Sequence, residues 1–259
     1  MTDPKLDFSG RSALVTGAAS GIGAALARWL DDHGVATLHL VDTNDAGLAA
    51  LDLQCQVIRH VADVSDEAFW VDFEKAVPKL DHAAVNAGIG KGGNLAEISF
   101  ADWRHVMAVN LDGAFLTLAT ALRLMRKNEA VRTRGGSAVV TASTVGIKPV
   151  AGIGPYGAAK AAVAHMARIA ALENAQYKIR VNAIAPGGVD TNIWESSEAF
   201  LAAAAEHGRD AALAGMGFGH PRGHFASAEE LAGDIGYLLS DMAANVTGTV
   251  LVSDGGYTM

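Results

Sequence analysis

Three polar side chains in the second half of the chain have the types and spacing that proton transfer needs. Tyr156 and Lys160 are four residues apart in a strongly helical stretch, so both side chains lie on one helix face. Ser143 follows a strand predicted over 138–141, at the carboxyl end where open α/β sheets bind ligands. A phenol, an ammonium group and a hydroxyl can together move a proton to or from a substrate oxygen.

Lys160 is predicted to make Tyr156 a usable base. A free tyrosine has a pKa near 10 and is only about 0.1% phenolate at pH 7. A positive charge about 4 Å away, at an effective dielectric of about 20, contributes roughly 4 kcal/mol, which lowers a pKa by about 3. Tyr156 would then exchange the proton, while Ser143 hydrogen-bonds the substrate oxygen. The alternative is a surface lysine beside a packed tyrosine.

A glycine-rich turn near the start of the chain predicts a nucleotide site. A strand predicted over 12–16 runs into Gly17, Gly21 and Gly23 and then into a helix over 21–32, an order that lets backbone N–H groups face a pyrophosphate at the positive end of the helix. The spacing is GxxxGxG rather than GxGxxG, and with 29 glycines in the chain three of them alone carry little weight. The prediction of a nucleotide site therefore depends on the strand before the glycines and the helix after them.

Asp42 favours NAD over NADP. It closes the second predicted strand, nineteen residues after Gly23, where a carboxylate accepts hydrogen bonds from the adenosine ribose hydroxyls. No Arg or Lys lies in the glycine turn or in residues 43–45 to hold a 2′-phosphate, which would meet like charge at Asp42. The alternative is that Asp42 only caps the next helix.

Strand and helix patterns alternate along the chain and predict one α/β domain over 1–259. Strands are predicted over 12–16, 37–41, 56–61, 83–85, 138–141, 180–184 and 250–252. Helices are predicted over 21–32, 46–52, 66–76, a long one within 100–125, 156–174 and 229–239. This order predicts a doubly wound parallel sheet with helices on both faces. The segment 188–225 interrupts the alternation of strands and helices. It is interpreted as an inserted lid over the substrate or, alternatively, as a subunit contact.

Taken together, the motifs closely resemble those of the short-chain dehydrogenase/reductase family over almost the whole chain. The residues that carry the resemblance are Thr16-Gly17-x-x-x-Gly21-Ile22-Gly23, Asn86-Ala87-Gly88, Asn110, Ser143, Tyr156-x-x-x-Lys160, Pro186-Gly187, Thr191 and the closing Ser253-Asp254-Gly255-Gly256. The resemblance implies a Rossmann-type sheet of about seven strands, a nicotinamide cofactor, and catalytic roles for Asn110, Ser143, Tyr156 and Lys160. It also implies that Lys160 holds the nicotinamide ribose and that Asn110 organises a water relay.

Further contacts are assigned to the cofactor and the substrate. The predicted cofactor contacts are Gly17, Ser20, Gly21, Ile22, Gly23, Asp42, Asp63, Val64, Asn86, Ala87, Gly88, Tyr156, Lys160, Pro186, Gly187, Val189 and Thr191. Asp63 and Thr191 have alternative roles as turn caps, and Asn86 as a brace of the sheet. The predicted substrate contacts are Ser143, Val145, Ile147, Tyr156, Trp194 and Phe218, with Ile193 and Met216 also closing over the substrate.

Composition and charge argue against several other classes. The single cysteine, Cys55, excludes an intrachain disulfide and a multi-cysteine metal site, and fits a reducing cytoplasm. A net charge of −8 argues against nucleic acid, and no long apolar window predicts a membrane span. His220 and His224 are four residues apart, but Pro221 and Gly223 between them disfavour a helix. The two rings therefore need not share a helix face, and no metal site is predicted.

The sequence therefore predicts an NAD-dependent dehydrogenase that acts on a secondary alcohol and its ketone. The alternatives are a reductase of acyl-chain or sugar ketones and a dinucleotide-sensing protein without turnover. A basic cluster, Arg123, Arg126, Lys127, Arg132 and Arg134, is interpreted either as a dock for an acidic carrier protein or as a solvated helix end. The partners expected are a small-molecule substrate and, from the resemblance, further copies of the chain in a dimer or tetramer.

Overall fold

A single parallel sheet of seven strands organises the protein. The computed structural model describes residues 6–259. The strands are β1 (Ser12–Thr16), β2 (Thr37–Asp42), β3 (Gln56–Val61), β4 (His82–Val85), β5 (Gly136–Thr141), β6 (Ile179–Pro186) and β7 (Val250–Ser253). Their spatial order is β3-β2-β1-β4-β5-β6-β7, and every neighbouring pair is parallel. The order reverses between β1 and β4, which opens a crevice at the carboxyl ends of these strands.

Within residues 6–259, ten α-helices surround the sheet. They are α1 (Gly21–Asp32), α2 (Asp45–Ala49), α3 (Glu67–Ala76), α4 (Phe100–Met107), α5 (Gly113–Lys127), α6 (Glu129–Arg134), α7 (Gly154–Asn174), α8 (Glu198–His207), α9 (Arg209–Gly217) and α10 (Ala228–Leu239). The predicted doubly wound α/β fold is confirmed, and α1 has the predicted bounds.

The central strands are apolar on both faces because helices cover both. Successive residues of β1 point in opposite directions, so Leu14 packs into one cluster with α3, α5 and α7. Val15 packs into a second cluster with α1 and α10. Strands buried in this way show near-continuous apolar runs rather than alternation, which is why the strand positions can be predicted from the sequence.

The predicted long helix within 100–125 is interrupted in the structure. Helices α4 and α5 are joined by a π-helical turn, Ala108–Asp112. The whole helical stretch Phe100–Lys127 is long and apolar enough, by length and composition, to cross a membrane. More than half of its most apolar 18-residue window is buried within the fold, where α4 packs on α7 and α5 packs on β4 and β5, as expected of a core helix.

The segment after β6 folds on itself before α10 begins. It contains a single-turn helix, Asn192–Ser196, followed by α8 and α9, which the sequence analysis did not predict as helices. Phe200, Ala212 and Leu213 form a small apolar cluster of its own. The two ends of the segment pair through backbone hydrogen bonds, since Asp190 N donates to Ala226 O (2.9 Å) and Ala226 N donates to Gly188 O (3.0 Å).

Two histidines pack together between the edge strands and α3. His39 Nδ1 on β2 lies 3.3 Å from His60 Nε2 on β3, and both rings contact the ring of Phe73 edge-on. Burial, and then the neighbouring His60, lower the pKa of His39 to about 4. Burial also lowers the pKa of His60. Both rings are therefore neutral in the folded protein at pH 7.

This pair should make the protein less stable in mild acid. Below pH 6.5 the unfolded chain takes up a proton that folded His39 does not accept until about pH 4. The free energy of unfolding should therefore fall across that window, by up to about 3 kcal/mol from His39. Denaturant titrations at several pH values measure this slope. His39→Gln should make the slope shallower but not abolish it, because burial also lowers the pKa values of His60 and His82. His105→Gln, at an exposed position on α4, is the control. Parallel slopes for His39→Gln and the parent protein would contradict the assignment.

Candidate active site

The glycine turn between β1 and α1 is shaped for close backbone approach. Gly17 and Gly21 have φ values of +67° and +50°, in the left-handed region that favours glycine. A Cβ on Gly23 would lie 2.1 Å from the carbonyl oxygen of Gly17. Ser20 begins the helix but makes no side-chain capping hydrogen bond within residues 6–259. The first-turn N–H groups are thus left for an anion, as a pyrophosphate-binding turn requires.

A cavity lies beside this turn. It has a volume of about 420 Å³, and its lining includes Ser20, Gly21, Thr191, Arg28 and Arg209. The methyl group of Thr191 is 3.0 Å from the position of a Cβ on Gly21, so the chain after β6 meets the start of α1 here. Predicted cofactor residues from distant parts of the sequence are therefore brought to one edge of the sheet.

Asp42 fastens the glycine turn to β2. Its Oδ2 accepts from Ala19 N (3.0 Å) and its Oδ1 from Asn44 N (3.0 Å). The alternative that Asp42 caps α2 is wrong, because Asn44 caps that helix by accepting from Gly47 N (3.0 Å). A carboxylate has about four acceptor sites, so half-buried Asp42 keeps capacity for two ribose hydroxyls.

Asn86 joins three strand ends. Its Nδ2 donates to Thr16 O on β1 (3.2 Å), and its Oδ1 accepts from Thr141 Oγ1 on β5 (3.1 Å). The Thr16 hydroxyl in turn accepts from the N–H groups of Asn86 and Ala87. Asn86 therefore braces the sheet, and its contact with the cofactor stays a prediction.

Asp63 and Val64 also have structural partners. Asp63 Oδ1 accepts from the backbone N and hydroxyl of Ser65, both at 2.8 Å, so it caps the turn before α3. Val64 is buried, its carbonyl accepts from Trp70 Nε1 (2.8 Å), and its side chain packs against Gly113. Their adenine contacts stay predictions.

Asn110 lies in the π-helical turn between α4 and α5, a deformation that is often found at functional sites. Its side chain is almost completely buried and bonds the backbone of Ile89 twice, with Oδ1 accepting from Ile89 N (3.1 Å) and Nδ2 donating to Ile89 O (2.9 Å). A Cβ on Gly88 would lie 2.6 Å from Asn110 Oδ1 and 3.3 Å from Lys160 Nζ. Gly88 therefore leaves the space in which Asn110 and Lys160 approach each other.

Lys160 is a buried cation with one fixed hydrogen bond. It is 4% exposed, and its Nζ donates to Thr141 O (2.8 Å) at the end of β5. Burial lowers its pKa to about 8, so the amine is still mostly protonated at pH 7. Nζ lies 5.6 Å from the centre of the Tyr156 ring, which places the ammonium group beside the phenol as predicted.

Tyr156 lies in the first turn of α7, and Ser143 directly follows the end of β5. Burial raises the pKa of Tyr156 above its usual value, and the Ser143 hydroxyl opposes this rise. The expected lowering by Lys160 is therefore not found in the protein alone. Burial disfavours the phenolate, the charged form of Tyr156, and this effect outweighs the hydrogen bond from Ser143.

The predicted substrate residues divide into two groups. Val145 and Ile147 follow Ser143 directly, and Ile147 is half-exposed. Trp194 instead packs within the segment after β6, where its Nε1 donates to Val189 O (2.7 Å) and its ring stacks on Phe225. Phe218, at the end of α9, is 84% exposed. Ile193 lies against Gly90 in the loop after β4, and thus closes one side of the crevice.

Three aromatic residues near the site were missed by the sequence analysis. Phe225 stacks between Trp194 and the edge of His220, and His220 stacks on Tyr257. They belong to no motif with a regular spacing. His220 and Phe225 lie in the run Gly219-His220-Pro221-Arg222-Gly223-His224-Phe225, which belongs to the predicted lid, but the sequence does not predict their contact with Tyr257. No group of three or more potential metal ligands occurs within residues 6–259.

Known proteins resemble this chain over nearly its full length. A protein-family profile described as Enoyl-(Acyl carrier protein) reductase matches residues 17–258. The chain is 36% identical to levodione reductase of Leifsonia aquatica, covering 98% of this chain and 97% of that protein. It is 37% identical to cis-4-hydroxycyclohexanecarboxylate dehydrogenase of Sinomonas cyclohexanicum, covering 97% and 98%. It is 33% identical to cyclohexanol dehydrogenase of an Acinetobacter species, covering 97% and 96%. A crystal structure of levodione reductase superimposes with a TM-score of 0.86, covering 96% of this chain and 98% of that one.

The glycine turn gives a direct test of the close approach. Gly23→Ala should force the turn away from Gly17, lower the free energy of unfolding by about 1–3 kcal/mol, and abolish dinucleotide binding. Gly233→Ala is the matched control, because a Cβ there meets no atom within 4 Å in the described structure. It should bind dinucleotide normally. Calorimetric titration and thermal unfolding measure both effects, and normal binding by Gly23→Ala would refute the role of the turn.

Proposed function

Because this chain belongs to the short-chain dehydrogenase/reductase family of oxidoreductases, we propose that it uses NAD to interconvert a secondary alcohol and its ketone. The observation that carries the proposal is the convergence of Asn110, Ser143, Tyr156 and Lys160 around the carboxyl ends of β4 and β5. Relatives named for cyclic alcohols or diketones support an alcohol or ketone as the substrate class.

The residues of the site fit a dinucleotide. The glycine turn and the uncapped start of α1 would hold the pyrophosphate, and Asp42 would accept from the adenosine ribose. Lys160 would hold the nicotinamide ribose, and Thr191 would lie beside the carboxamide. When bound, the nicotinamide ring accepts a hydride from the alcohol carbon or returns it to the ketone carbon.

The side chains of this protein handle the proton. In alcohol oxidation, Tyr156 accepts the hydroxyl proton while the carbon–hydrogen bond breaks, and Ser143 donates a hydrogen bond to the substrate oxygen. Tyr156 must therefore be a phenolate before this transfer, and it becomes a neutral phenol by accepting the proton. Lys160 stabilises that phenolate, although burial opposes it. Asn110, fixed by Ile89, organises the route by which the proton leaves. In ketone reduction, Tyr156 returns the proton.

An acidic carrier protein is not favoured as the substrate donor. Most members of the basic cluster have partners in the structure. Arg123 and Lys127 both pair with Glu74, and Arg132 pairs with Glu129. Arg126 bonds Asn174 Oδ1 and lies over the ring of Tyr177. These side chains therefore stabilise helix ends, and a free small molecule is the proposed substrate.

The segment 188–225 is proposed as a lid over the substrate, because its ends pair at a narrow base and Ile193 closes on the loop after β4.

We also propose a homodimer or tetramer. Helices α5 and α7 leave apolar side chains exposed that a second copy would cover, among them Phe115, Ile169 and Leu172. A cytoplasmic location is proposed from the single free thiol.

Replacing the proposed acid/base tests the function. Tyr156→Phe removes only the transferable proton, so it should lower kcat by roughly 10²–10⁴ while leaving the Kd for NAD nearly unchanged. Tyr237→Phe, at an exposed position on α10, is the matched control and should have normal turnover. The assay follows reduced nicotinamide over a panel of cyclic and acyclic secondary alcohols. Near-normal turnover by Tyr156→Phe would refute the assigned base. Binding of NAD without turnover of any alcohol or ketone by the parent protein would favour a dinucleotide sensor.

Two substitutions of Asp42 test the cofactor preference. Asp42→Ala removes both an acceptor and a negative charge, so it should weaken NAD binding by roughly tenfold and NADP binding much less. Asp42→Asn keeps a carbonyl acceptor for the backbone of the glycine turn and removes the charge, so it should shift the preference towards NADP with less loss of stability. Equal losses for the two cofactors would mean that Asp42 only holds the turn in place.

A further inference from the structure

The segment 254–259 folds back from the end of β7 onto the substrate side of the molecule. Asp254 fixes this turn, because its Oδ1 accepts from Gly256 N (2.8 Å) and its Oδ2 accepts from Thr258 N (2.8 Å) and Thr258 Oγ1 (2.7 Å). Gly255 and Gly256 supply the positive φ values of +60° and +89°. The turn presents Tyr257 to two elements that flank the crevice.

The first of these elements is the loop after Ser143. Lys148 Nζ donates to the carbonyl oxygen of Tyr257 (2.9 Å) and lies 4.4 Å from the centre of its ring. The backbone N of Lys148 donates to Thr144 O (2.8 Å), so Lys148 is tied to the turn that begins at Ser143. Tyr257 therefore restrains the loop that carries the serine through one hydrogen bond and one cation–π contact.

The second element is the returning end of the segment 188–225. The His220 ring stacks on Tyr257 with a centroid distance of 4.6 Å and an angle of 23°. His220 meets Phe225 edge-on at 5.0 Å, and Phe225 stacks on Trp194 at 5.0 Å. Phe225 also fills the space of the missing side chain of Gly188, where a Cβ would lie 2.2 Å from its ring. A continuous series of ring contacts thus runs from the base of the segment to Tyr257.

We propose that Tyr257 is a positioning residue that joins the segment 188–225 to the loop after Ser143, and so sets the width of the substrate crevice between them. The proposal rests on the proposed function in that the crevice is taken to hold the alcohol. Tyr257 contacts neither Ser143 nor Tyr156 among the described hydrogen bonds and ring contacts, so it is not a catalytic residue. It acts through Lys148 and His220.

This role predicts a particular kinetic signature. Loss of the ring should loosen both sides of the crevice without touching the proton-transfer groups or the glycine turn. Tyr257→Ala should therefore raise KM for the alcohol by about tenfold, with kcat within about threefold of the parent value and an unchanged Kd for NAD. Hydrogen exchange at the backbone of residues 188–225 should become faster.

Rescue and control variants separate positioning from simple packing. Tyr257→Phe should behave like the parent protein, because the Tyr257 hydroxyl makes no hydrogen bond within residues 6–259 and the ring and carbonyl remain. Lys148→Met should reproduce part of the KM increase. This variant still tests the proposal if the Tyr257→Ala protein does not fold. Tyr177→Ala is the matched control, since it removes a similar tyrosine–cation contact with Arg126 at the opposite end of the sheet. It should leave KM and exchange in residues 188–225 unchanged.

The two readouts distinguish the possible failures. Unchanged KM and unchanged exchange in a folded Tyr257→Ala protein would overturn the proposal, as would a fall in kcat without a rise in KM. Equal damage by Tyr257→Phe would also overturn it. If the parent protein turns over no alcohol or ketone, the proposed function fails, but the exchange measurement still decides whether Tyr257 holds the segment.

Discussion

The hydrogen-bond network around Asn86 holds together the edge of the sheet on which the whole site is built. Asn86 bonds β1 through Thr16 and β5 through Thr141, and Thr141 in turn accepts from Lys160 through its carbonyl oxygen. The bond from Lys160 is buried and the two bonds of Asn86 are partly buried, where an unpaired polar group is costly, so the strand ends have little freedom to separate. The glycine turn after β1 and Lys160 of α7 are thereby fixed relative to one another through three side chains.

The burial that holds Lys160 and Tyr156 in place also sets their charge states. Lys160 has lost most of its contact with water, and its pKa falls to about 8. Tyr156 shifts in the opposite direction, since desolvation penalises the charged form of each group. The protein alone therefore favours a neutral phenol beside a cation. In the proposed function, proton abstraction by Tyr156 therefore depends on the ligands that bind in the crevice.

The substrate side is built on a different principle from the cofactor side. The cofactor side consists of strand ends and a glycine turn, in which backbone atoms set the geometry. The segment 188–225 has a small apolar cluster of its own and reaches the rest of the protein through Ile193, the paired base and the ring series that ends at Tyr257. Such a segment can change its surface without disturbing the sheet.

The sequence by itself determined the features that depend on neighbours along the chain. Buried parallel strands show continuous apolar runs, the turn after β1 needs glycines, and Tyr156 and Lys160 share a helix face. The sheet and the proximity of these two side chains were therefore predictable. Only the tertiary structure decided the rest. The π-helical turn at Asn110 departs from the regular helical period of 100–127, and Asp42 braces a turn twenty-three residues earlier in the sequence. The direction of the Tyr156 pKa shift and the contact of Lys148, His220 and Tyr257 depend on burial and on distant segments meeting in space, which no local pattern of residues encodes.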